Sequence, residues 1–119
     1  MSTHHEVRVR RAYEEPEDTD GVRVLVDRLW PRGLAKEKAA LDEWCKQIAP
    51  SSELRTWYRH DPDRFGEFER RYREELAAPE RTEALEHLRE IASTRTLTLI
   101  TATRHPEISE AEVLARVLS

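Results

Sequence analysis

Val24-Leu25-Val26-Asp27-Arg28-Leu29-Trp30-Pro31-Arg32-Gly33 is the stretch on which the fold turns. Three apolar residues run without alternation into a charged pair, and the chain then bends at Pro31 and Gly33 with Arg32 between them. A continuous apolar run predicts a strand buried on both faces, hence a central strand, here over 22–30. In an open α/β sheet, ligands sit just outside the carboxyl ends of the strands. Asp27, Arg28 and Arg32 would stand there. The planar fork of arginine suits carboxylate and phosphate, so the expected chemistry is anion recognition.

The rest of the chain is read outward from this strand. Residues 7–13 alternate, with Val7, Val9 and Tyr13 on one side, and predict a half-buried strand near an edge. Residues 14–21 hold Glu14, Glu15, Glu17, Asp18 and Asp20 in a turn-rich loop. They lack the spacing and closing glutamate of a calcium loop, so a solvated loop is expected. Downstream, Leu41, Trp44, Cys45 and Ile48 fall at i, i+3, i+4 and i+7, which predicts a helix ended by Pro50. Ser51 or Ser52 caps the next helix, which carries Leu54, Trp57 and Tyr58. Asp61-Pro62 restarts the chain as a carboxylate cap followed by proline at the first helical position. Phe65, Phe68, Tyr72 and Leu76 form the stripe of that helix, which breaks near Pro79. A further helix carries Ala84, Leu85, Leu88 and Ile91.

Residues 97–102 are β-branched and apolar and predict another strand. Ser109 and Glu112 have the spacing of a capping box for the last helix. The helical stretch between residues 30 and 97 is long enough for a right-handed crossover, so the strands at its two ends are expected to be parallel. Loop 14–21 is short for a crossover, and the direction of the first strand stays open. The expected fold is a small parallel or mixed α/β sheet of three to four strands, flanked by about five helices in a single domain over 1–119.

Composition narrows the function. The chain has 119 residues, 38% hydrophobic and 37% charged, enough to bury a core without disulfide or metal. Twenty Lys and Arg against 24 Asp and Glu give a net charge of −4, which argues against general affinity for a nucleic-acid backbone. One cysteine, Cys45, excludes a disulfide framework and a cysteine metal cluster. It lies on an apolar face and reads as a small buried hydrophobe. No stretch resembles a signal peptide or a membrane span, so the expected location is cytoplasmic, with no membrane partner. The five histidines, His4 and His5 among them, lack the paired spacing of a zinc site. There is no phosphate-binding lysine loop, no G-x-G-x-x-G and no serine elbow, so no cofactor is expected.

The candidate site therefore gathers at the strand ends. Arg28, Arg32 and Arg104 are the ligand-binding set, with Arg55, Arg59 and His60 joining from the helix after the capping serines. Ser51 contributes a helix N-terminus, which offers free N–H groups to an anion. Trp30 would wall the pocket, because ligand pockets are lined by aromatics with few polar groups. Asp27 would orient an arginine or act as base, and His60 or His105 would carry a proton. The competing reading is a non-catalytic interaction module, such as a homodimer, with Asp27 paired to Arg28 or Arg104 and Arg55 paired to a helix carboxylate.

These residues also carry a resemblance. Val-Asp-Arg-Leu-Trp-Pro-Arg-Gly at 26–33 with Lys36, Ala-Pro-Ser at 49–51, Leu54-Arg55 with Trp57, His60-Asp61-Pro62, and Phe65, Phe68 and Arg71-Tyr72 are similar to the YeaO-like branch of a bacterial family, domain of unknown function 488. The resemblance covers nearly the whole chain and implies a small α/β domain, with no reaction attached. Relatives tend to carry Ala-Ala-Lys-Asp and then a His-Asn pair where this chain has Ala102, Thr103, Arg104 and His105, then Ile108 and Ser109. The positive charge is kept at Arg104, and the acidic residue is absent.

Overall fold

The computed structural model describes residues 6–119, so His4 and His5 lie outside the described residues. Four strands form one parallel sheet: β1 (Val7–Arg11), β2 (Val22–Leu25), β3 (Glu43–Trp44) and β4 (Leu97–Thr101), in the order β1-β4-β2-β3. Five α-helices accompany them: α1 (Lys36–Ala39), α2 (Ser52–Tyr58), α3 (Phe65–Glu75), α4 (Pro79–Thr94) and α5 (Glu110–Leu118). Val24 lies opposite Leu99, and Val9 opposite the same Leu99 on the other side. β2 and β4 thus occupy the two central positions and are buried at every residue, Arg23, Thr98 and Thr101 included.

Because every strand runs the same way, all four carboxyl ends meet at one edge of the sheet. β1 pairs with β4, not with β2, and is parallel to it. The connection is residues 12–21, too short for a helix but able to span about 33–36 Å when extended. It drops back across one face instead of packing a helix there. Gly21 closes this return at φ 65°, where a Cβ would run into the Thr96 carbonyl. That carbonyl accepts the Val22 amide at 2.9 Å and sets the register of β2.

The two faces of the sheet are covered differently. On one, Val22, Val24, Val26, Leu97 and Leu99 pack under helices α2 to α5, with Phe68, Tyr72, Leu88 and Leu114 fully buried among them. Each such side chain contributes roughly 1.5–3 kcal/mol on burial. The expected stripe of α3 is the centre of this layer. On the other face, Leu25 and Ile100 lie under Trp30, Leu34 and Leu41, which belong to loops, and under Trp44 of β3.

Two readings of the sequence are corrected here. The segment 41–48 is not a helix. Glu43–Trp44 is an edge strand on β2, followed by a 3-10 turn at Lys46–Ile48. The Cys45 amide donates to the Leu25 carbonyl at 2.8 Å, and the Asp42 amide to Arg23 at 2.9 Å. Its apolar residues serve two layers: Leu41 and Trp44 join the loop-covered face, while Cys45 and Ile48 join the helical one. The acidic loop is also not wholly solvated. Asp20 is fully buried, accepting from Arg23 at 2.5 Å and from Arg10 at 3.1 Å, with Arg8 at 3.4 Å. Among the described residues, no helix is long and apolar enough to cross a membrane.

Candidate ligand-binding site

A cavity of about 530 Å³ opens at the carboxyl edge of the sheet. Its walls come from the turn after β2, the end of β4, helix α2 and the first residue of α5. Asp27, Arg28, Trp30, Arg32, Arg55 and His60 all line it. Six of the side chains chosen from sequence are therefore brought together. Arg104 and His105 are exposed beyond the lining, and His105 sits 3.5 Å from Glu107.

Ser51 also lies outside the lining, for an instructive reason. It caps α2 as expected, its Oγ accepting the Leu54 amide at 3.1 Å. Its own amide and hydroxyl donate to Glu75, at 2.8 and 2.5 Å. The helix start does hold an anion, and the anion is a carboxylate of the protein itself. The capping box at the last helix is likewise absent. Ser109 Oγ donates to the Pro106 carbonyl at 2.6 Å, and Glu112 accepts from Arg116 at 3.1 Å.

Asp27 is anchored rather than paired. One carboxylate oxygen accepts the Thr101 hydroxyl at 2.8 Å and the other the Ala102 amide at 2.8 Å. The β2 carboxylate thereby clamps the end of β4, and neither Arg28 nor Arg104 supplies its partner. Trp44 Nε1 donates to the Asp27 carbonyl at 2.7 Å, and Trp30 meets Trp44 edge-on with ring centroids 5.5 Å apart. Trp30 Nε1 closes its own turn on the Leu34 carbonyl at 2.7 Å. Trp30 walls the cavity, and Trp44 supports it from behind.

The arginines are arranged differently. Arg28 and Arg55 both donate to the hydroxyl of Ser52, at 3.1 and 3.3 Å. Among the described residues no ion pair includes Arg28, Arg32 or Arg55; most of the pairs lie around Asp20 and along α3 to α5. Two guanidinium groups thus converge on one neutral oxygen at the cavity, without a carboxylate to satisfy them. Arg59, by contrast, is the left-handed end of α2 at φ 52° and lies outside the lining. His60 follows at φ 55°, and this double left-handed step sets its ring 5.8 Å from that of Tyr58.

Two lining groups were missed in the sequence. Tyr58 stacks on Phe68 at 4.2 Å and donates to the Ile108 carbonyl at 2.6 Å, which ties α2 to the loop before α5. Burial, then the charges of Asp61 and Glu110, push its phenol up to about 12, so it remains a donor. Glu110 lines the cavity together with Asp27. Burial, then a hydrogen bond to Asp27 and its charge, hold the Glu110 carboxyl well above the usual carboxylate range. The signal available was its place: the first turn of the helix that follows a strand-end loop. Among the described residues, no group of His, Cys, Asp or Glu is placed to hold a metal ion.

The fold is that of a small parallel α/β protein, with a cavity at its strand ends whose lining includes Arg28, Arg32 and Arg55. Residues 6–119 match the family described as the inactive DUF488-N3 subclade, and the chain belongs to that family. It is 40% identical to the uncharacterized protein YeaO of Escherichia coli (strain K12), over 92% of this chain and 93% of that one. It is 50% identical to uncharacterized proteins of Mycobacterium bovis and Mycobacterium tuberculosis, over 95% of this chain and 93% of each. No solved structure matches it.

Proposed function

We propose that the strand-end cavity binds a small anionic ligand bearing a phosphate or carboxylate group. The observation that carries this reading is the pair Arg28 and Arg55, which converge on the Ser52 hydroxyl with no carboxylate partner among the described residues. A surface that holds such charges together without neutralising them gains most when an anion supplies charge-assisted hydrogen bonds. Arg32, on the same lining, adds a third positive charge. The role is recognition rather than turnover. The subclade is described as inactive, Asp27 already accepts two structural hydrogen bonds, and His105 lies away from the cavity.

A thermal-shift series with phosphate, sulfate, sugar phosphates, nucleotides and carboxylates tests this, run beside Arg55→Ala. A ligand at about 100 times its Kd adds roughly 2.7 kcal/mol, on the order of 10 °C for a chain of this size. The shift is expected in the parent protein and is lost in the variant. Absence of any shift in the whole series would refute anion binding. A docking module is the second reading, favoured by Leu29 and Tyr13, which are 71% and 46% exposed beside the same opening. A concentration-dependent dimer that Leu29→Ser abolishes would support it.

A further inference from the structure

The cavity is chemically divided, and the division says more about its ligand than the arginines alone do; this inference rests on the anion-binding reading above. Against the end of β4, Asp27 spends one lone pair of each oxygen on Thr101 and Ala102. Glu110, the first residue of α5, lines the same cavity, and its carboxyl is raised by burial and by Asp27. Two carboxylates do not share a hydrogen bond, so one carries a proton. Burial and the neighbouring Asp27 push the Glu110 carboxyl up, so Glu110 is the member that keeps a proton. The pair presents a carboxylic acid and a carboxylate side by side, with lone pairs left over on both. No guanidinium neutralises it, although Arg55 is near enough to act on Glu110.

A bare anion suits only half of this cavity. Its oxygens match Arg28 and Arg55, yet they are acceptors and meet further acceptors at Asp27 and Glu110. An ammonium group would match the carboxylate but would share the cavity with Arg28, Arg32 and Arg55. A hydroxyl both donates and accepts, as does the acid–carboxylate pair. Thr101 and Thr103 at the end of β4 line the same cavity. We propose that the ligand is a hydroxylated anion, a polyol or sugar phosphate or a hydroxy acid, with its anionic group on Arg28 and Arg55 and a hydroxyl on the Asp27–Glu110 pair. The volume, about 530 Å³, falls within the roughly 300–1,000 Å³ of small-molecule sites and is larger than a lone phosphate needs.

Calorimetric titration of the full chain with a matched series tests this: inorganic phosphate, propyl phosphate, glycerol 3-phosphate and phosphoethanolamine, with propionate and glycerate as the carboxylate pair. Glycerol 3-phosphate or glycerate is expected to bind about tenfold tighter than its unhydroxylated partner, the worth of one hydrogen bond to a charged group. In Glu110→Ala that ratio falls toward one, and in Glu110→Gln, whose amide still donates, part of it returns. Circular dichroism establishes that both variants are folded. Equal affinity with and without the hydroxyl overturns this inference and leaves the anion site standing. Tightest binding by phosphoethanolamine overturns it in favour of a zwitterionic ligand. Failure of every probe to bind refutes the anion site and this inference with it.

Discussion

Replacing Asp20 with asparagine leaves the Arg23 guanidinium buried without its counter-charge. The Arg23 side chain is 5% exposed and that of Asp20 fully enclosed, at 2.5 Å. After the substitution, Arg23 keeps neutral acceptors only: the Ala39 carbonyl at 2.9 Å, the Ala40 carbonyl at 3.1 Å and the amide oxygen of the new side chain. Removing one member of a buried pair costs about 3–5 kcal/mol, mostly as the penalty of the orphaned charge. Arg8 and Arg10 add little, because they reach solvent and Glu17 as well. The lower end, about 3 kcal/mol, is expected, and at roughly 4 °C per kcal/mol this lowers Tm by about 12 °C. Urea denaturation of Asp20→Asn, Arg23→Met and the double variant measures it. The double variant should be more stable than Asp20→Asn, because its uncompensated charge is gone.

The same pair fixes a pH dependence. Burial alone would raise the Asp20 carboxyl, but hydrogen bonds from the Glu17 amide, Arg23 and Arg10 outweigh it and hold it below its usual 3.8. The folded state therefore releases this proton more readily than the unfolded chain does. The resulting stability is present above about pH 4 and is lost as pH falls through the lowered value. The gap between parent and Asp20→Asn should narrow on acidification below that point. A loss under about 1 kcal/mol at neutral pH, or strictly additive single variants, would refute the reasoning.

Other outcomes follow from the site and its supports. Glu110 has the opposite sign: its folded carboxyl is held above the usual 4.5, so parent stability falls as pH rises from there through the folded value. Glu110→Gln lacks this proton, and its stability relative to the parent should rise over that window in pH-resolved denaturation; a flat difference would contradict the raised Glu110 carboxyl. Glu75→Ala removes both acceptors of Ser51 and should cost about 2 kcal/mol without changing anion affinity, checked by melting and titration together. Cys45 is buried, and burial followed by the charge of Glu43 pushes its thiol up. Its labelling by a thiol reagent should track global unfolding, and rapid labelling of native protein would refute this placement.

The parts of this fold legible in the chain are those set by neighbours a few residues away. The apolar run before Asp27, the Ser51 cap, the Asp61-Pro62 restart and the aromatic stripe of α3 each follow from local geometry, and each is where the sequence implies. The segment 41–48 shows the limit of that logic. Spacing of i, i+3, i+4 and i+7 describes one face of a helix, but here it feeds the two faces of a sheet, because the open edge of β2 claims Glu43 and Trp44. Ser109 and Glu112 likewise have the pattern of a cap, while other partners, the Pro106 carbonyl and Arg116, take their bonds.

By itself, the sequence determined that a central strand ends in Asp27, Arg28 and Arg32, and that arginines and an aromatic ring stand near that end. Only the tertiary structure decided which of them face a common cavity. It handed the α2 start to Glu75, left Arg104 and His105 outside, and set Glu110 against Asp27. The reason is physical. Propensity, capping and periodicity act over a turn or two of chain, whereas the meeting of strand ends depends on parallel pairing between segments far apart in sequence, which no local pattern encodes.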